Sequence, residues 1–108
     1  MIKKNFKKNG YDYKLIKQSQ REKDKIIAIY EQLDHLQDAK IVAYEVMAIK
    51  FITIKKDKPR YNLKVGDEEI RYPSNNDWGT YGWTYKDLNK AEYKYSLLIS
   101  QQSPEGIE

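Results

Sequence analysis

The sequence predicts an α+β fold: an antiparallel β-sheet of about five strands with one C-terminal helix packed on one face. Three observations predict it. Segments starting near Tyr11, Ile26, Ile41 and Tyr61 are rich in β-branched and aromatic residues, and several alternate apolar with polar. Turn dipeptides, Asn9-Gly10 and Gly66-Asp67, punctuate those segments. From Leu88 onward the apolar period lengthens to that of a helix. A chain of 108 residues suits one core, so residues 1–108 are expected to form a single domain. Its folded core is expected over 9–99, with 1–8 and 100–108 as loose termini.

The first strand follows Asn9-Gly10, where Tyr11, Tyr13 and Leu15 alternate with Asp12, Lys14 and Ile16. Ser19 to Lys25 is wholly polar and then yields to Ile26-Ile27-Ala28-Ile29-Tyr30, which reads as a hairpin. Ile26, Ile29, Tyr30, Leu33 and Leu36 also share a helical face; the run of isoleucines assigns a strand. Ile41 to Ile54 is the longest β signal, apolar at both parities, as in a strand that is central or bends. Lys55-Lys56-Asp57-Lys58-Pro59 ends it. Tyr61, Leu63 and Val65 predict another strand, and Ile70 and Tyr72 a short final one. Pro73 to Gly82 reads as a structured loop. The helix presents Leu88, Ala91, Tyr95 and Leu98 on one stripe, with Asp87 or Thr84 as its cap.

Composition removes several classes of function. A chain that is 40% hydrophobic and 13% aromatic is too apolar to be disordered. The absence of cysteine excludes disulfides and thiolate zinc sites and fits a reducing compartment, so a cytoplasmic location is expected. No apolar signal core follows the N-terminal lysines, and no run approaches the roughly 20 residues of a membrane helix. No membrane, metal or cofactor is expected. His35, the only histidine, lies between Asp34 and Asp38, but no second histidine, cysteine or glycine-rich phosphate loop joins it. The expectation is that the protein is not an enzyme.

Charge is segregated along the chain. It is +6 over residues 1–25, −3 over 26–49, +5 over 50–64 and −4 over 65–108. If the basic segments lay side by side, Lys14, Lys17, Lys55, Lys56, Lys58 and Arg60 would form a positive face for phosphates or an acidic protein. Ordinary solvated lysines on edge strands give the same pattern. Asp67-Glu68-Glu69 reads as a solvated hairpin tip. Trp78, Tyr81, Trp83 and Tyr85 fall within eight residues of turn-rich sequence. Trp83 is expected to plug the sheet where the helix docks, and Trp78 and Tyr81 to be interface anchors.

Several segments carry a resemblance: Asn9 to Ile16, Ala28-Ile29-Tyr30-Glu31-Gln32, Val42-Ala43-Tyr44-Glu45-Val46, and Tyr72 to Tyr85 with its PSNNDWGTYGWTY run. Together they span most of residues 9–98 and resemble a family of small proteins from phages and integrated mobile elements of bacteria. The resemblance implies that the IYEQ and AYEV segments are neighbouring strands, and it brings no catalytic residues. Small proteins of that context include inhibitors of host defence, anti-CRISPR proteins among them. It therefore implies a protein that binds an RNA-guided nuclease effector, with or without its guide RNA, and blocks guide or target engagement. A small basic RNA- or DNA-binding accessory protein is the alternative. Either a monomer or a homodimer joined at a free sheet edge fits the sequence.

Overall fold

Asn9 and Gly10 do more than start a strand. Both adopt left-handed backbone, with φ of 53° and 82°, the requirement of a two-residue type I′ hairpin. In the computed structural model, which describes residues 2–34, 36, 38 and 40–102, this turn joins β1 (Asn5–Lys8) to β2 (Tyr11–Gln18) with Lys8 opposite Tyr11. The chain continues through β3 (Lys25–Asp34), β4 (Lys40–Thr53), β5 (Glu68–Arg71) and β6 (Gly82–Tyr85) to α1 (Leu88–Gln102). All pairings are antiparallel. The order is β1-β2-β3-β4-β5, and β6 also pairs with β4, at Tyr44 to Met47, while β5 pairs with Lys50 to Thr53.

The expected α+β fold with one helix is thus the fold observed, and residues 25–34 are a strand. β4 is central, and its apolar residues at both parities follow from two covered faces. On one face Met47, Ile49 and Phe51 join Ile26, Ala28, Tyr30 and Tyr13. On the other Val46 and Ala48 join Ile27 and Ile29 beneath Ala91 and Tyr95 of α1. Asp87 caps this helix: its Oδ1 accepts the Asn89 amide at 2.8 Å.

Residues 2–8 correct the expectation of a loose terminus. Ile2 is only 5% exposed. Phe6 stacks on Tyr13 with ring centroids 4.8 Å apart and meets Tyr30 edge-on at 5.1 Å. The Tyr30 hydroxyl donates to the Lys3 carbonyl at 2.6 Å, and the Lys3 amide donates to the Tyr72 hydroxyl at 2.8 Å. Tyr72 follows β5 at the far edge, so the sheet curls until its edges meet around this aromatic cluster. One phenylalanine among lysines is too weak a local signal for a strand; its partners lie far along the chain.

A second correction concerns Tyr61 to Val65. Pro59–Tyr61 is a single 3-10 turn, and Asn62 is left-handed at φ 57°. That reversal breaks the extended backbone that alternation requires. Tyr61 and Val65 are solvent-exposed. The helix also runs past Ser100 to Gln102, whereas 103–108 and His35 lie outside the described residues.

Candidate functional site

The predicted site residues do not converge. Lys14 and Lys17 lie on β2, and Lys55, Lys56, Lys58 and Arg60 lie beyond β4, with β3 and β4 between the two groups. Lys14 is exposed and opposes Glu31 across the strand pair. Lys17 contacts Glu92 at 3.6 Å and lies 4.9 Å from the Tyr95 ring centroid, so it fastens α1 to the sheet.

The aromatic loop is held in place by its own contacts. Trp78 donates its indole N–H to Thr84 Oγ1 at 2.7 Å. Its ring lies against Gly82, where an added Cβ would fall 2.6 Å from two ring carbons. Tyr81 and Trp83 are half-buried on the helix side, where Lys50 and Lys94 cover their rings at 3.7 Å and 4.3 Å. None of Trp78, Tyr81, Trp83 and Tyr85 is among the exposed large hydrophobics. Thr84, on offer as a helix cap, serves Trp78 instead.

Two arrangements stand out. The first is a finger, residues 55–66. Ile54, buried, anchors its base by donating its amide to Asp67 and accepting from Gly66, at 2.8 and 2.9 Å. Within it Lys58 and Leu63 exchange backbone hydrogen bonds at 2.8 and 3.1 Å. Asp57 Oδ1 accepts the Val65 amide and Asp67 Oδ2 the Lys64 amide, both at 2.9 Å. So braced, the finger presents Tyr61 at 66% and Val65 at 61% exposure. Beside them stand Lys55, Lys56, Lys58, Arg60 and Lys64, opposed within 55–66 by Asp57 alone. Lys58 contacts Glu69 at 3.5 Å; among the described residues the other four make no ion pair. Lys55, Lys56, Lys58 and Arg60 were legible in the sequence as basic candidates, Lys64 was not singled out, and Tyr61 and Val65 lie outside any strand.

The second is a cavity of about 230 Å³ at the end of the curled face where β1 meets β2. Glu45 forms its floor and is only 7% exposed. Tyr11, Tyr13, Trp78 and Gln32 form walls, and Lys8 stands at the mouth. Burial pushes the Glu45 carboxyl above its ordinary range, with Lys8 and Thr84 opposing that shift. Thr84 Oγ1 is 3.5 Å from Glu45 Oε2, a long contact, and Oε1 has no hydrogen bond among the described residues. A lone carboxylate inside a strand apolar at both parities was the sequence signal for this group.

No family model matches the chain, and neither a curated protein nor a solved structure matches it significantly. The class is therefore defined by geometry: an α+β domain whose curled antiparallel sheet carries one helix on its outer face. No helix among the described residues is long and apolar enough to cross a membrane.

Proposed function

We propose that the protein acts by stoichiometric binding to a nucleoprotein effector of bacterial defence, an RNA-guided nuclease, with the 55–66 finger as its contact element. The observation that carries this reading is the finger itself. A loop ordered by its own hydrogen bonds loses little conformational entropy on binding. Its unpaired basic groups suit the phosphates of a guide or target strand, and an exposed tyrosine suits base stacking or an apolar socket on the effector. The resemblance to phage and mobile-element proteins supplies the biological context.

The test is capture of tagged protein from a defence-competent bacterial lysate, with and without nuclease. One protein partner that survives nuclease and is lost with Tyr61→Ala or with Lys55, Lys56 and Arg60 reversed to Glu supports the reading. Recovery of nucleic acid alone instead supports an accessory nucleic-acid binder. In that case four phosphate contacts on a single strand give a log–log salt slope of roughly −3. Capture unaffected by every finger variant rejects the finger.

A further inference from the structure

The Glu45 cavity has no part in the reading above, and its composition is specific enough to assign a ligand. Its floor is a desolvated carboxylate with one oxygen free of hydrogen bonds among the described residues. Three of its lining residues are aromatic, Tyr11, Tyr13 and Trp78, and Gln32, Asn9 and Asn75 add polar groups. These walls are fixed in advance. Trp78 is held by Thr84 and Gly82, and Tyr13 accepts a hydrogen bond from Gln32 at 2.9 Å and stacks on Phe6. Lys8, its Nζ 5.6 Å from the Trp78 ring centroid, places a positive charge at the rim.

Each feature narrows the ligand. A carboxylate accepts hydrogen bonds from two adjacent donors, so the buried end of the ligand should carry an N–H pair. Aromatic walls favour a flat π-system. A cavity of about 150 Å³ holds a benzene ring, so one of about 230 Å³ that opens to solvent has room for a bicyclic heterocycle, with any sugar reaching outward. The rim lysine disfavours a simple cation and favours a ligand whose outer end is anionic. A guanine base on a phosphate meets all four conditions: its N1–H and N2–H donors face one way, and its sugar and phosphate leave the other.

We propose that this cavity binds a guanine base, with Glu45 accepting N1–H and N2–H, Tyr11 and Trp78 flanking the ring, and Lys8 meeting the phosphate. Adenine is rejected because its corresponding edge offers one donor and one lone pair, and the lone pair would face the carboxylate. The base arrives either on a free nucleotide or unstacked from a single strand.

The test is titration at pH 8 of the full chain with GMP, AMP and a short oligouridylate carrying one guanine, read by tryptophan fluorescence and calorimetry. GMP is expected to bind at least about tenfold more tightly than AMP. Glu45→Gln, nearly isosteric and checked for folding by circular dichroism, should erase that preference. Tyr11→Ala should weaken GMP by about tenfold or more. Binding of GMP identifies free nucleotide as a sufficient source; binding of the oligonucleotide alone identifies a strand. The proposal is overturned if neither binds at millimolar concentration, if GMP and AMP both bind with like affinity, if the oligonucleotide binds no better than one carrying adenine in place of guanine, or if Glu45→Gln keeps the preference. Charge reversal in the finger should leave GMP binding unchanged, so failure of either proposal is seen separately.

Discussion

Gly82→Ala isolates a single steric contact. Gly82 is buried at the start of β6, and its φ lies outside the left-handed region, so alanine meets no backbone penalty there. The added Cβ would lie 2.6 Å from Cε3 and Cζ3 of Trp78 and 2.9 Å from Cη2. These are atoms of a rigid ring anchored through its N–H to Thr84. Relief requires moving the whole indole. Overpacking of this kind costs about 1–3 kcal/mol, and weakening the Trp78–Thr84 hydrogen bond adds about 0.5–1.5 kcal/mol. The expected loss is about 2–4 kcal/mol, a fall in Tm of roughly 10–20 °C for a domain of this size. Urea denaturation followed by tryptophan fluorescence and circular dichroism measures it. Gly79→Ala is the contrast: φ is +91° and no atom lies within 4 Å of an added Cβ, so only backbone strain, about 1 kcal/mol, is incurred. In a Trp78→Leu background the cost of Gly82→Ala should shrink by at least about 1 kcal/mol. A loss below about 0.5 kcal/mol, or an equal loss in both backgrounds, refutes the reasoning.

Deleting residues 1–8 removes Ile2 and Phe6 from the curled face and the acceptor of the Tyr30 hydroxyl. It should cost about 3–5 kcal/mol in chemical denaturation, since each large apolar side chain contributes about 1.5–3 kcal/mol when buried; retention of full stability would mean that β1 is dispensable. Glu45→Gln tests burial by pH. The folded carboxyl sits above its ordinary range, so its destabilising effect is absent in acid and grows as pH rises through that range. The glutamine variant should therefore gain on the wild type at neutral pH, with the gap closing in acid; a constant gap across a pH series of denaturation curves contradicts this. Ala91→Leu overfills the contact between α1 and Ile27, Ile29 and Val46. A loss of about 1–3 kcal/mol is expected in thermal unfolding, and no loss would show that the helix is loosely seated.

Local chemistry made much of the fold legible. Strands β2, β3 and β4 were readable because their apolar spacing and their bounding turns reflect the environment of each residue directly. So was α1, whose buried Ala91 and Tyr95 sit on the stripe that the sequence displays. The class of fold was within reach of the sequence alone, which also offered a central place as one of two readings of β4 and Asp87 as one of two helix caps.

Tertiary structure decided the rest, because the deciding partners are distant in sequence. Phe6 becomes a strand residue only when Tyr13, Tyr30 and Tyr72 surround it. Tyr61 leaves the sheet because Pro59 and Asn62 turn the chain and Asp57 and Asp67 hold it there. Trp78, a candidate anchor by composition, is pinned half-buried by Thr84 and Gly82 at the wall of the Glu45 cavity, while Lys17 is spent on α1. Glu45 acquires its cavity only when β1, β2 and the loop after β5 converge on it. Periodicity reports which side of an element is buried; only packing determines what meets that side, and charge, exposure and binding follow from what meets it.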